Sequence, residues 1–257
     1  KERPALLLLT VVAAGEQVRL AQTVASLQTQ LYQDWKLVVL ADTPAPDPIF
    51  EQTDILGWLQ LDSLDDPELL ARALNQISDT LASDWLTLIP VGSTFEPHWA
   101  IAVADYANLG PKWQAIYTDH DHIGPAGFRC APWFKPDFNL DYLRAMDYVG
   151  PALWFKREAL QEIGGFHPYP GAWQYEALWR LHDRCGADAI GHLPEPLLHL
   201  PENLPEHPLA QAVMRKARER KLSFQEDTQE FKSVFGSGVR CRYQGANIEV
   251  GNRRILE

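Results

Sequence analysis

The alternation of short apolar runs with helical patterns constrains the fold more than any other feature of this sequence. Residues 6–12 form a nearly continuous apolar run that ends in two valines, which is typical of a central parallel strand. Residues 18–30 then carry apolar side chains at helical spacing, and residues 35–40 form a second apolar run. This order predicts a mainly parallel sheet with helices on both faces.

The same alternation continues towards residue 118. A helix is predicted over residues 67–81, with Asp66 as its cap and Pro67 at its first position. Further strands are predicted at residues 56–61, 85–89 and 113–118. In such sheets ligands bind at the carboxyl ends of the strands, so we expect the site there.

The C-terminal part of the sequence has a different character. Residues 201–205 carry two prolines and resemble a linker, so we predict a first domain over residues 1–201 and a second over residues 202–257. A basic amphipathic helix is predicted over residues 208–221, and residues 239–243 and 248–250 have the signature of a hairpin. The second domain is therefore expected to be a small α+β helix-hairpin appendage.

Composition excludes some functions and predicts a compartment. The formal net charge of −11 argues against nucleic-acid binding, which needs clustered cations. Three widely spaced cysteines predict reduced thiols, without a zinc site or a disulfide framework. The apolar run at residues 5–14 is too short to span a bilayer. We expect a cytoplasmic protein without a transmembrane segment, either free or peripheral at the inner membrane face. The absence of an initial Met is typical of a segment of a longer chain.

Five stretches, in order, resemble the family 2 glycosyltransferases, especially those that build bacterial surface polysaccharides. They cover about residues 5–200, and the resemblance implies the GT-A fold. The stretches are residues 26–37, 71–75, 117–121 (Tyr-Thr-Asp-His-Asp), 134–137 (Phe-Lys-Pro-Asp) and 159–166 (Ala-Leu-Gln-Glu-Ile-Gly-Gly-Phe).

The resemblance implies transfer of a sugar from a nucleotide-diphosphate donor to a glycan or lipid-linked acceptor. In that family a divalent cation, Mg or Mn, bridges the pyrophosphate and protein carboxylates, and a second carboxylate takes the proton of the acceptor hydroxyl. The donor-binding residues that it implies are Thr10, Asp42, Asn75, Asp119 and Asp121.

The position of the family's metal motif has lost its ligands. Residues 89–93 read Ile-Pro-Val-Gly-Ser where the family has Leu-Asp-X-Asp-Asp, and none of these side chains can ligate a hard cation. Asp119 and Asp121 stand two apart, so in an extended segment both point the same way. Either they ligate a replacement cation, or they are solvated carboxylates. His199 is either a further metal ligand or a hydrogen-bonded residue.

The position of the family's catalytic base has changed as well. Gln174 occupies it, and an amide cannot take a proton at neutral pH. Glu176 is either a displaced base or the partner of Arg180 in an i,i+4 surface pair. Two functions therefore stay open: an active glycosyltransferase, or a catalytically degraded relative that binds a donor, a glycan or a protein partner.

A second resemblance lies near the C-terminus. Residues 206–213, 236–239 and 250–254 resemble, in order, three motifs of the nucleotide-binding domain of heavy-metal P-type ATPases. Ion pumping is excluded, because the phosphorylation motif and the transmembrane helices of that family are missing. The segment either binds adenine nucleotide or is a vestigial remnant. The residues that the resemblance places at an ATP site are Glu206, His207, Gly236 and Gly238.

Overall fold

In the computed structural model, residues 3–201 are described with their side chains, and residues 228–234, 238–243 and 246–251 by their backbone. The chain divides into two compact units, Lys1–Ala212 and Val213–Glu257. The boundary predicted near residue 202 and the helix predicted over residues 208–221 lie outside the described residues and stay predictions.

One sheet of nine strands organises the described part of the first unit. Its strands are β1 Leu6–Val12, β2 Trp35–Ala41, β3 Leu56–Gln60, β4 Trp85–Leu88, β5 Thr94–Phe95, β6 Ala115–Ile123, β7 Arg129–Trp133, β8 Leu153–Lys156 and β9 Ile190–Pro201. The spatial order is β3-β2-β1-β4-β8-β6-β9-β5, and β7 pairs with β6 outside this path. All five strands predicted for residues 1–201 are present, with ends that differ by a few residues.

One strand in the middle of the sheet runs against both of its neighbours. The strands from β3 to β4 are mutually parallel, and β6 is parallel to β9. Between them β8 is antiparallel to both of its neighbours, and β5 and β7 are also antiparallel to their partners. The carboxyl ends of β1, β2 and β4 consequently meet at one edge of the sheet.

Helices cover both faces of this sheet, as predicted. They are α1 Gln17–Gln28, α2 Ile49–Gln52, α3 Pro67–Thr80, α4 Trp99–Leu109, α5 Leu140–Ala145, α6 Arg157–Glu162 and α7 Trp173–Cys185, with a 3₁₀ turn at Ala187–Ala189. No helix in these described segments combines the length and the apolar character that a bilayer crossing requires.

The core has two layers because β1 is buried on both faces. Leu7 and Leu9 pack in one cluster with side chains of α3, α6 and α7. Leu6 and Leu8 pack in the other cluster with side chains of α1 and α4. Alternate residues of a strand point to opposite faces, so a continuous apolar run is required at this position.

The start of α3 follows the prediction closely. The Asp66 side chain accepts hydrogen bonds from the backbone N–H groups of Glu68 and Leu69 at 3.0 and 3.1 Å, and Pro67 begins the helix. Such a cap satisfies N–H groups that have no partner within the helix.

The second unit contains the hairpin that the sequence predicts. Strands β11 Gly238–Tyr243 and β12 Ala246–Gly251 pair in antiparallel register. A further strand, β10 Thr228–Val234, pairs with β11 and was not predicted.

A turn after α6 is fixed by an amide from α3. Asn75 donates to the backbone oxygen of Phe166 at 2.9 Å and accepts from its backbone nitrogen at 2.7 Å. Gly165 has a φ of +74°, and a Cβ at this residue would overlap the Asn75 amide. The turn therefore requires glycine both for its backbone conformation and for the close approach of Asn75.

We expect Gly165→Ala to lower the free energy of unfolding by roughly 2–3 kcal/mol, because it adds a steric overlap to the cost of a positive φ. Gly127→Ala is the matched control, because Gly127 has a φ of +77° and open space around its Cβ position. This variant should lower the free energy of unfolding by only about 1 kcal/mol. Urea unfolding followed by tryptophan fluorescence measures both values. Equal losses in the two variants would contradict this account of the turn.

Candidate functional site

The two aspartates that the sequence predicts as metal ligands lie two residues apart on β6 and are buried there. Asp119 and Asp121 are only 2% and 3% exposed. The Oδ1 atom of Asp119 accepts a hydrogen bond from the backbone nitrogen of Lys135 at 2.9 Å and lies 3.0 Å from Nε2 of His192. Buried carboxylates need such partners, so the alternative of solvated carboxylates is wrong.

Asp121 belongs to a cluster of four charged or titratable side chains. Its Oδ1 atom lies 2.6 Å from Nδ1 of His199, and its Oδ2 atom accepts from Nε of Arg129 at 2.6 Å. Arg129 also donates to Glu96 at 2.6 Å and to the backbone oxygen of Pro196 at 2.9 Å. Nε2 of His199 is 3.4 Å from the same Glu96 oxygen. These contacts connect β6, β7, β9 and the segment after β5.

An exposed carboxylate is linked to the buried Asp119 through one imidazole. Nδ1 of His192 lies 3.2 Å from Oδ1 of Asp137, whose side chain is 98% exposed. The His192 ring stacks on the Tyr117 ring with 4.7 Å between centroids, and the Tyr117 hydroxyl donates to the backbone oxygen of Pro136 at 2.6 Å. Burial raises the pKa of Tyr117, which stays a neutral donor. Sequence reasoning missed His192, because only the pairing of β9 with β6 brings it to Asp119.

A buried lysine stabilises the segment that precedes Asp119. Nζ of Lys135 donates to the backbone oxygens of Thr118 and Val149, at 2.5 Å in each case. Burial lowers the pKa of Lys135 to about 7, although the charges of Asp119 and Asp147 act in the opposite direction. Burial also raises the pKa of Asp147.

His120, between the two aspartates, is also buried. Burial, with smaller contributions from Lys135 and His122, lowers the pKa of His120 to about 2. Its ring lies parallel to that of Trp133, with 6.3 Å between centroids. His120 is therefore neutral at physiological pH and supplies no positive charge to the aspartates.

The residues at the family's metal position do not fit a divalent cation. At Gly92, which has a φ of +88°, a Cβ would lie 3.3 Å from the Arg19 Cβ and 3.3 Å from the Pro201 Cγ, so protein atoms already adjoin this position. The hydroxyl of Ser93 is used in a 2.6 Å hydrogen bond to the backbone oxygen of Pro90. Across residues 3–201 no three His, Cys, Asp or Glu side chains are arranged to hold a metal ion.

The predicted metal ligands contact protein groups instead. Asp119, Asp121 and His199 all make the hydrogen bonds described above, and His199 thereby satisfies the hydrogen-bonded alternative that the sequence left open. Metal ligation by these three residues stays a prediction, and this geometry does not support it.

The side chains at the predicted base position make hydrogen bonds that connect different elements of the fold. Gln174 donates to the backbone oxygen of Leu153 at 2.9 Å. Glu176 accepts from Arg180 at 2.7 Å through each of its oxygens, as in the i,i+4 pair that the sequence allows, and lies 3.1 Å from Nδ1 of His167. Arg180 also donates to the backbone oxygens of Ile163 and Gly165. The role of Glu176 as a base stays a prediction.

The remaining predicted donor residues are spread over different parts of the sheet. Asp42 is exposed and follows β2 directly at the carboxyl edge. Thr10 lies on β1, and its buried hydroxyl has no hydrogen-bond partner among the described residues. The amide of Asn75 is used by the turn at Phe166, so Asn75 does not join the cluster around Asp121.

At the predicted ATP site only one residue is described. Gly238 begins β11. Glu206, His207 and Gly236 lie outside the described residues.

In sequence, the chain resembles part of a much longer protein. It matches none of the protein-family models. It is 31% identical over 208 residues to the O-antigen biosynthesis protein RfbC of Myxococcus xanthus, a match that covers 78% of this chain and 16% of that protein. The chain thus spans 16% of the length of this curated relative.

In structure, the chain is similar to solved glycosyltransferases. TarS 1–349 of S. aureus superposes with a TM-score of 0.61 at 12% identity, over 86% of this chain and 67% of that chain. The mannosyltransferase PcManGT from Pyrobaculum calidifontis, in complex with GDP-Man and Mn²⁺, gives 0.55 at 15% identity, over 88% and 66%. The chain therefore has the GT-A fold that the sequence predicts. These similarities give no support to the ATPase-like site near the C-terminus, which stays a prediction.

The buried Lys135 generates a pH-dependent stability. Its pKa is about 7 in the folded chain against an ordinary value of 10.5, so between these values the unfolded chain binds more protons. Stability therefore rises with pH in this window, and it is independent of this group below about pH 7, where both states are protonated. Relative to Lys135→Met, the free energy of unfolding of the wild type should rise by roughly 1 kcal/mol per pH unit between pH 7 and 9.

Urea unfolding at pH 7, 8 and 9 measures this difference. Lys36→Met, which replaces an exposed lysine on β2, is the matched control. The difference in the free energy of unfolding between wild type and Lys135→Met should rise with pH, whereas the difference between wild type and Lys36→Met should not. A constant difference between wild type and Lys135→Met across the range would show that the buried amine does not titrate there.

Proposed function

We propose that this chain is a glycosyltransferase domain that transfers a sugar from a nucleotide-diphosphate donor to a glycan or lipid-linked acceptor. The observation that carries the proposal is the exposed Asp42 at the end of β2, in a GT-A sheet whose parallel strands end at the same edge. Ligands of open α/β sheets bind outside the carboxyl ends of the strands. A carboxylate at this position can accept hydrogen bonds from the base of a nucleotide.

The neighbours support the class of donor. One structure of TarS is a complex with UDP-GlcNAc, and PcManGT was solved with GDP-Man. The relative in M. xanthus takes part in O-antigen biosynthesis, which favours a surface polysaccharide as the acceptor. We therefore propose a nucleoside-diphosphate sugar as donor and a growing glycan as acceptor.

Transfer also needs a group that takes the proton of the acceptor hydroxyl. We propose Glu176 for this role, because Gln174 cannot accept a proton and its amide is engaged with Leu153. The ion pair between Glu176 and Arg180 must open before a carboxylate oxygen can reach an acceptor.

The same contacts favour a second candidate, a domain that binds a donor or a glycan without turnover. Gln174 and Glu176 both serve to hold β8, α7 and the turn at Gly165 in place. A domain that has kept the donor edge and lost the base would bind nucleotide sugars and release no nucleotide diphosphate.

Calorimetric titration with UDP-GlcNAc and GDP-Man tests the donor site. Asp42→Asn removes a charged acceptor at the carboxyl edge, so the dissociation constant should rise about tenfold. Asp54→Asn is the matched control, because Asp54 is exposed and precedes β3 at the amino edge of the same sheet. Equal effects of both variants would exclude Asp42 from the donor site.

Release of UDP or GDP in the presence of glycan acceptors separates the two candidates. Release that is lost in Glu176→Gln, with donor binding retained, supports transfer with Glu176 as base. Binding without any release supports the second candidate. A chain that binds neither nucleotide sugar contradicts both.

A further inference from the structure

We infer that this chain binds the diphosphate of its donor without a divalent cation, and that the guanidinium of Arg129 supplies the positive charge. The inference rests on the proposed function, since it concerns how a nucleotide-diphosphate sugar is held. Three features of the structure support it: the metal position without ligands, the engaged carboxylates and the placement of Arg129.

The first feature is the end of β4, where GT-A relatives place their metal motif. Pro90, Val91 and Gly92 offer no side-chain oxygen. The direction in which a side chain at residue 92 would project is filled by Arg19 and Pro201, with contact distances of 3.3 Å. Hard divalent cations need several oxygen ligands in a defined geometry, and residues 90–92 supply none from their side chains.

The second feature is that the nearby carboxylates are already engaged. Asp121 uses Oδ1 with His199 and Oδ2 with Arg129, and Asp119 uses Oδ1 with His192 and the Lys135 backbone nitrogen. A cation bound at Asp121 would compete with the arginine and the histidine that contact its two oxygens at 2.6 Å. The cost of breaking these buried contacts opposes metal binding.

The third feature is the placement of Arg129 between two acidic groups from different segments. Nε contacts Asp121 on β6, and Nη1 contacts Glu96, which stands three residues after Ser93 in the segment that follows the metal position. Arg129 therefore connects β6 with the segment that follows the metal position, through one side chain that carries a permanent positive charge.

The guanidinium also retains capacity for a ligand. It carries five N–H donors, of which three make the contacts to Asp121, Glu96 and Pro196. The side chain is 44% exposed, so its remaining donors can reach a phosphate. Guanidinium groups are suited to phosphate because their paired N–H groups match two phosphate oxygens.

The test is calorimetric titration of the full chain with UDP-GlcNAc and GDP-Man, in excess EDTA and in excess MnCl₂. We expect the same dissociation constant in both buffers, within about a factor of two. Arg129→Gln should raise it about tenfold in both buffers, because a charge-assisted contact to phosphate is lost. Arg144→Gln, which breaks the exposed pair with Asp141, is the matched control and should leave the constant unchanged.

Each outcome decides the inference. Donor binding that requires Mn²⁺ and disappears in EDTA overturns it while the proposed function stands. Unchanged affinity in Arg129→Gln overturns the role of Arg129. Absence of donor binding in both buffers overturns the proposed function itself. If Arg129→Gln does not fold, the comparison of the two buffers on the wild type still decides the metal question, and Arg129→Lys tests the charge.

Discussion

The contacts of two buried carboxylates with the next strand organise the central part of this structure. Asp119 and Asp121 on β6 are shielded from water, and an uncompensated charge there would cost several kcal/mol. His192 and His199 on β9 approach them from the neighbouring strand. The pairing of β6 with β9 is thereby restricted to a register that brings each histidine to its aspartate.

The contacts that compensate the charges of Asp119 and Asp121 also bear on the proposed chemistry. In the proposed site, the hydrogen bonds of these carboxylates to histidine, arginine and backbone N–H groups compete with the coordination of a metal ion. A domain with this arrangement keeps the sheet edge of the GT-A fold and the exposed Asp42, while positive charge near the end of β6 comes from Arg129.

Local features of this chain could be predicted from its sequence, and long-range ones could not. The strand at Leu6–Val12 and the cap at Asp66 follow from residue types within one turn or one strand. The contact of His192 with Asp119 joins residues 73 positions apart, and the contact of Asn75 with Phe166 joins residues 91 apart. Pairing also shifts between Thr118 and Asp119. The spacing of residues in the sequence does not predict such an irregular register, so the partners of the site residues become visible only in the folded structure.

The most direct measurement is a crystal structure of the chain soaked with UDP-GlcNAc or GDP-Man in the presence of Mn²⁺. The account predicts the nucleotide base beside Asp42 and a phosphate oxygen within hydrogen-bond distance of Arg129, with no metal ion between the diphosphate and Asp121. An Mn²⁺ ion coordinated by Asp121 with Arg129 displaced, or a nucleotide bound away from the carboxyl ends of β1 and β2, would contradict it.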